Sequence, residues 1–192
     1  EFRRVLFRSA FTGVVVMNYH TYLNGTGAGI PVHPSLWEKL FSPTSGPLTT
    51  RFAAVFVCVA GVAIAMQERT FRGTPGRLSA RLLRRGFVLY CAGFALDWIW
   101  PGTILFFYGA YFMIAALLVR MPTRLLVTVC IPSALIPALI QGFRAERFTR
   151  GDVTNWLNPV DVHAPRELLI RTFLSYTHPV FPWIVFLIAG MI

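Results

Sequence analysis

Two histidines are the residues of this sequence best suited to proton or acyl transfer. The first, His20, ends the polar triplet Asn18-Tyr19-His20, which follows an apolar run in AFTGVVVMNYHTYLN. A neutral imidazole removes a proton from a hydroxyl or an amine, or accepts an acyl group on nitrogen. Because an ionisable residue within a membrane segment indicates function by default, His20 and Asn18 are candidate catalytic residues. The alternative is a histidine that lies at the membrane interface.

A second histidine and a carboxylate extend this set. His33 lies in the polar stretch GIPVHPSLWEKLF and is a second base, an acyl-accepting nucleophile or a solvated loop residue. Asp97 ends an apolar run in LDWIWPG, where it orients a histidine, lines a substrate cavity or meets solvent at the interface. The other two histidines, His163 and His178, are isolated, and no His-Glu-x-x-His spacing occurs. The sequence therefore predicts no metal site.

A cluster of arginines precedes the third apolar segment. Arg77, Arg81, Arg84 and Arg85 share one face of a helix by their i, i+4, i+7 spacing. The guanidinium fork suits phosphate groups, so this face is a candidate site for a nucleotide-bearing cofactor such as acyl-CoA. Membrane topology and contact with anionic lipid are the alternative explanation of the same residues.

The composition indicates a membrane protein. The chain has 192 residues, of which 55% are hydrophobic and 14% are charged, whereas soluble domains carry about 25% charged residues. Its mean hydropathy is +0.59. The net charge of +10 comes from arginines that flank apolar runs instead of forming one patch. We therefore expect a lipid bilayer, and no nucleic acid, as the partner of these charges.

Apolar segments organise the whole chain. Backbone groups in lipid must pair internally, so each apolar run is predicted to be a helix. Several are shorter than the ~20 residues that cross a bilayer, but their flanks extend them. The fold class predicted is all-α, a polytopic transmembrane helical bundle of about six membrane segments. These segments are about 10–23, 52–67, 82–98, 103–119, 125–141 and 179 to the end.

The charges of the connecting loops predict the orientation. The loops at 68–85 and 120–124 are rich in arginine and fall on one side, which the positive-inside rule makes cytoplasmic. The outer side then receives residues 24–51 and the stretch from 143 to 178. Within it, HAPRELLIRTFLSYTHPVFPW is predicted to contain an amphipathic helix that lies on the outer surface.

Both ends of the chain are predicted to be truncated. The opening EFRRVLFRS matches the translation of a common sequencing-library adapter, so residues 1–9 are expected to be non-native. The closing VFPWIVFLIAGMI stops within an apolar run that has no flanking charge. We therefore expect residues 10–192 to be the N-terminal part of a longer transmembrane domain.

Four stretches, in the same order, resemble the membrane acyltransferases. That superfamily includes the bacterial acyltransferase family three and the heparan-alpha-glucosaminide N-acetyltransferase-like proteins. SAFTGVVVMNYHTYLN resembles its first transmembrane helix and RFAAVFVCVAGVAIAM its second. RLLRRGFVLYCAGFALD with ILFFYGAYFMIAALLVRMP resembles the third and fourth helices of the N-acetyltransferase-like branch. YTHPVFPWIVFLIAGM resembles that branch's Tyr-Pro-x-x-Pro-Trp helix, with Thr-His inserted after Tyr176.

The family's histidine falls on His20. Its Arg-Gly pair falls on Ser9-Ala10, so the family's arginine is missing where the adapter sequence ends.

This resemblance implies an integral-membrane acyltransferase of the bacterial cytoplasmic membrane. The implied reaction moves an acyl group, here acetyl, from acyl-CoA on the cytoplasmic face to a sugar or envelope glycan on the outer face. The implied base or transient acyl carrier is His20. The alternative is His33, because the N-acetyltransferase-like branch has a reactive histidine in the loop after the first helix. Arg84 and Arg85, with Arg81 on the same face, are the implied ligands of the CoA phosphates. The competing interpretations are a non-enzymatic transporter or carrier and a membrane scaffold.

Overall fold

The described part of the chain is helical wherever it has regular structure. The computed structural model describes residues 2–25, 35–40, 42, 47–48, 51–99, 103–152, 164–174 and 178–192. The all-α prediction is confirmed for these residues, and each of the predicted apolar segments overlaps one of the helices. The helices are α1 (Phe2–Gly25), α2 (Leu36–Leu40), α3 (Arg51–Thr70), α4 (Pro75–Asp97), α5 (Leu105–Leu118), α6 (Thr123–Thr149), α7 (Pro165–Phe173) and α8 (Val180–Met191).

Two helices are long and apolar enough to cross a membrane. They are α3, with 20 residues, and α6, with 27 residues, and at ~1.5 Å per residue both reach the ~30 Å of a hydrocarbon core. Residues Arg8–Met17 of α1, together with α5 and α8, are shorter apolar helices. By length and composition, then, two of the predicted segments qualify as spans among the described residues, and not the predicted six.

Most of the surface of α6 is apolar and exposed. Leu139, for example, is 71% exposed. The hydroxyl of Ser133 donates a hydrogen bond of 2.7 Å to the carbonyl oxygen of Val129, so this polar group is satisfied within the helix. A helix with such a surface fits hydrocarbon or further helices better than water. The other large apolar side chains exposed on α6 are Leu125, Val127, Ile131, Leu135, Phe143 and Phe148.

The contacts divide the chain into two compact units, residues 1–60 and residues 61–192. In the first unit, α1 contacts the start of α3 at a glycine. A Cβ atom on Gly13 would lie 2.1 Å from Cδ1 of Phe52. No side chain larger than hydrogen fits there unless the ring moves, so Gly13 permits this contact.

In the second unit, α4 and α5 pack backbone against backbone. Gly86 lies opposite Met113 and Gly93 lies opposite Phe106, so the two helices are antiparallel. A Cβ on Gly93 would lie 2.2 Å from the backbone nitrogen of Phe106, and one on Gly109 would lie 2.4 Å from that of Tyr90. Small residues that let helices approach this closely are typical of helix packing in membranes, where burial of apolar surface supplies little attraction.

The second half of α3 makes a similar contact with α8. A Cβ on Gly61 would lie 2.0 Å from the carbonyl oxygen of Leu187. The side chains of Ile184, Leu187 and Ile188 form the buried face of α8, which also contacts α6. Residues 61–192 therefore have a core in which α8 lies between other apolar helices.

A matched pair of glycine substitutions tests the α4–α5 contact. Gly93→Ala is expected to destabilise the protein by about 1–3 kcal/mol, because the added methyl group overlaps the backbone of α5. Gly142→Ala in α6 has no atom within 4 Å of its added methyl group and is expected to leave stability unchanged or raised by up to ~1 kcal/mol. Thermal unfolding followed by circular dichroism in detergent measures both. Equal effects would show that α4 and α5 do not pack at Gly93.

Candidate functional site

A buried ion pair joins α7 to the end of α4. Asp97 is 1% exposed and Arg171 is 0% exposed, and Nη1 of Arg171 lies 2.9 Å from Oδ2 of Asp97. The Arg171 guanidinium also lies over the ring of Phe106, 5.1 Å from its centroid, which adds a cation–π attraction. Charges at this depth are tolerated because each has the other as its partner.

The local sequence of α7 explains how Arg171 reaches the interior. The helix begins at Pro165, whose fixed φ suits a first helical position. In the same turn, Glu167 suits the positive end of the helix dipole. About one turn later Ile170, Arg171 and Thr172 are all buried. The prediction that this stretch lies on the outer surface is therefore wrong for its last turn, which packs inward.

Three hydroxyl groups support the same region. The hydroxyls of Tyr90 in α4 and Thr172 in α7 lie 2.9 Å apart and form a hydrogen bond. In α5, the hydroxyl of Tyr111 donates to the carbonyl oxygen of His178 over 2.7 Å. Both α4 and α5 thus hold the chain that runs through α7 into α8.

His178 is a titratable group enclosed by aromatic rings. Its ring centroid lies 4.7 Å from that of Trp183 and 6.3 Å from that of Phe107. Its Nδ1 is buried, and this atom has no hydrogen-bond partner within the described structure. Burial lowers the pKa of the imidazole, just ahead of α8, from 6.5 to about 4. At neutral pH His178 is therefore uncharged.

The predicted phosphate ligands lie together on α4, as their spacing predicted. Arg81, Arg84 and Arg85 are all exposed. The guanidinium of Arg81 lies 5.3 Å from the ring centroid of Phe71, and that of Arg85 lies 5.8 Å from the ring centroid of Phe112. Two of the three charges are thus positioned by aromatic rings, and the hollow beside Arg84 and Arg85 is open.

The structure describes less of the other residues that were predicted to form the catalytic site. Asn18 and His20 lie in the last two turns of α1, where the structure describes the backbone. His33 lies outside the described residues. For Asp97, the solvated alternative is wrong, because the carboxylate is buried against Arg171. The structure brings Asp97 together with a cation that the sequence analysis did not single out.

The sequence predicted no role for Arg171, and of His178 it predicted only that this residue is not a metal ligand. A carboxylate at the end of an apolar segment requires a partner, and an arginine between Leu-Leu-Ile and Thr-Phe, as Arg171 is, satisfies that requirement. This signal identifies the class of partner, whereas the pairing itself depends on the tertiary fold.

Comparison with known proteins leaves the family open. The chain matches no protein-family model, no curated protein and no solved structure. Within the described ranges, no group of three or more His, Cys, Asp or Glu side chains is arranged to hold a metal ion.

A neutralising substitution at each of two ion pairs tests the burial of Asp97. Asp97→Asn is expected to cost about 3–5 kcal/mol of stability, because it leaves a buried guanidinium without its counter-charge. The control is Asp152→Asn, which breaks a pair with Arg147 of similar length, 2.8 Å, whose side chains are 57% and 42% exposed. That change is expected to cost at most ~1 kcal/mol. Thermal and chemical unfolding in detergent measure the difference, and a loss at Asp97 no larger than that at Asp152 would contradict a buried pair.

The depressed pKa of His178 predicts a pH-dependent stability. Because the folded pKa of about 4 lies below the unfolded value of 6.5, the unfolded state binds more protons between these values. Stability should therefore fall as the pH drops from about 7 to 4, by on the order of 2–3 kcal/mol. His178→Gln removes this contribution. Unfolding of both forms between pH 7 and 4.5 checks it, and identical pH profiles would show that His178 titrates normally.

Proposed function

We propose that this chain belongs to an integral-membrane acyltransferase that moves an acetyl group from acyl-CoA to a sugar or envelope glycan. The observation that carries the proposal is the polarity of α4. This helix has 23 residues, or about 34 Å, with the exposed guanidiniums of Arg81, Arg84 and Arg85 towards its start and buried Asp97 as its last residue. One helix thus joins a phosphate-compatible surface to a buried polar cluster that lies about 18–24 Å further along its axis, which is most of the ~30 Å of a hydrocarbon core.

The proposal places six crossings in the membrane: α1, α3, α4, α5, α6 and α8. Two of them have the length and hydropathy of a span, and the arginine-rich turns α3–α4 and α5–α6 support a cytoplasmic position for those ends. The apolar exposed surface of α6 supports contact with lipid. The bacterial cytoplasmic membrane is the location that the resemblance to acyltransferases supplies.

The chemistry proposed is direct or histidine-mediated acyl transfer. A neutral imidazole takes the proton of an acceptor hydroxyl or amine, whose oxygen or nitrogen attacks the thioester carbonyl. The C–S bond then breaks, and the CoA thiolate leaves with the proton that the imidazole held. The histidines proposed for this step are His20, which the motif resemblance favours, and His33. In the mediated route, the imidazole nitrogen first carries the acetyl group and then passes it to the acceptor.

A transporter is the second candidate, and the buried ion pair favours it. Ionisable residues within membrane helices mark transport paths as well as catalytic sites. In a carrier, Asp97 and Arg171 would separate and re-form as a substrate passes. The two functions differ in whether the acceptor is chemically changed.

The test is an acetyl-transfer assay on the full-length protein in sealed vesicles. Acetyl-CoA is supplied on the arginine side and an amino sugar or glycan acceptor on the other, and mass spectrometry measures acetylated acceptor and free thiol. His20→Ala is expected to lower the transfer rate by about 10²–10⁴-fold, the usual contribution of a general base. His163→Ala serves as the control and should leave the rate unchanged.

Three outcomes of this assay separate the candidates. Loss of transfer in His33→Ala but not in His20→Ala would move the reactive histidine to the loop after α1. Uptake of unmodified acceptor without thiol release would overturn the acyltransferase and favour the carrier. Neither transfer nor uptake by the wild-type protein would overturn both.

A further inference from the structure

A cleft lies at the arginine-rich end of residues 61–192, where four helices meet. The last turns of α3 and α8, the turn that follows α5 and the first turn of α6 enclose a volume of about 300 Å³. The α4 arginines are not among the residues that line it. It is therefore a different feature from the exposed face on which Arg81, Arg84 and Arg85 lie.

Two guanidinium groups give this cleft a positive lining. Arg69 lies in the last turn of α3 and Arg120 lies in the turn between α5 and α6, and both line the cleft. Within the described ranges, no ion pair engages either of them. Glu68 also lines the cleft, so two arginines oppose one carboxylate and the lining stays net positive. Arginine forks placed around one concavity are suited to the oxygens of a phosphate ester.

The start of α6 completes the polar wall. Pro122 directly precedes α6, and Thr123, which carries a hydroxyl group, is the first residue of the helix. Both residues line the cleft. The backbone nitrogens of Leu125 and Leu126 already donate to the carbonyl oxygen of Pro122. The positive end of a 27-residue helix dipole thus adds to the field of the two guanidiniums.

Shape distinguishes this cleft from the α4 face. Arg81 and Arg85 lie over aromatic rings, beside a more open hollow that is lined by Arg84, Arg85, Val88 and Leu89. The cleft has walls from four elements, and Ala65, Leu126 and Met191 give it an apolar floor. Ligand sites are concave with convergent polar groups, and in this cleft the polar surface exceeds the apolar surface, which suits a charged ligand.

We propose that this cleft binds a phosphate ester on the arginine side of the membrane, with Arg69 and Arg120 as its guanidinium ligands. This proposal rests on the proposed function but moves the donor phosphates from the α4 face to the cleft: the phosphate ester is the nucleotide part of acyl-CoA, and the cleft holds the donor while its thioester reaches into the helices. A phospholipid headgroup offers the same phosphate chemistry, so the experiment must separate these two sources.

The first arm measures nucleotide binding to the full-length protein in nanodiscs of neutral phosphatidylcholine. Adenosine 3′,5′-bisphosphate and CoA are titrated by calorimetry against the wild type, Arg69→Gln and Arg120→Gln. Each cleft variant is expected to weaken binding by 10-fold or more. The matched control is Arg124→Gln, an exposed arginine in the first turn of α6 that does not line the cleft. The affinity of this variant should stay within about 2-fold, since a solvated charge outside the cleft is screened by salt.

The rival site is tested in the same arm. If Arg84→Gln abolishes binding and both cleft variants bind normally, the donor phosphates lie on the α4 face and the proposal is overturned. Equal losses in Arg124→Gln and the cleft variants would also overturn it, because the effect would then be one of total charge. Thermal unfolding of each variant confirms that a loss of affinity occurs in a folded protein.

The second arm measures retention of anionic lipid. Nanodiscs that contain phosphatidylglycerol are analysed by native mass spectrometry for lipid that stays bound to the wild type and is lost in Arg69→Gln and Arg120→Gln. If phosphatidylglycerol is retained in this way and CoA does not bind, the cleft is a phosphate site but its assignment to acyl-CoA is overturned. Binding of neither ligand would overturn the site itself. If CoA binding depends on Arg69 and Arg120 but no acetyl transfer occurs, the cleft is confirmed as a binding site and the proposed function is overturned.

Discussion

The pairing of Asp97 with Arg171 is the constraint on which the polar interior of residues 61–192 depends. Neither charge would be tolerated alone at that depth, because moving an ion out of water costs roughly several kcal/mol. The close opposite charge of the partner offsets this cost. The pair requires α7 to turn its last residues inward, and this in turn places Thr172 next to Tyr90 and leads the chain to His178. The orientation of this nine-residue helix is thereby set by the ion pair, while Ile170 and Thr172 are buried beside it.

Polar groups are divided between the two ends of the α4–α5 pair. At one end the guanidinium groups are accessible to solvent. Some of them lie over aromatic rings and others line a cleft. At the other end the charges are buried and compensated within the protein. The first arrangement leaves guanidinium charges accessible to anions, and the second excludes water from a small polar cluster.

A feature could be predicted from the sequence when it depends on residues that are near one another in the chain. Apolar runs predicted helices because backbone pairing within a helix depends on near neighbours, and the shared face of Arg81, Arg84 and Arg85 follows from helical periodicity alone. The burial of Arg171 could not be predicted in this way, because its partner is far away in the chain and the surrounding turn looks amphipathic. The cleft at Arg69 and Arg120 depends on four helix ends meeting, which no single segment encodes. The chemistry assigned to His20 and His33 stays a prediction.

The glycine contacts between α4 and α5 also determine how this protein can move. Where Gly86, Gly93 and Gly109 bring two backbones into contact, no flexible side chains lie between the helices to absorb a sliding motion. The two helices are therefore expected to move as one stiff unit. A tilt of that unit would displace its arginine-bearing end and its Asp97 end in opposite directions about the packed middle.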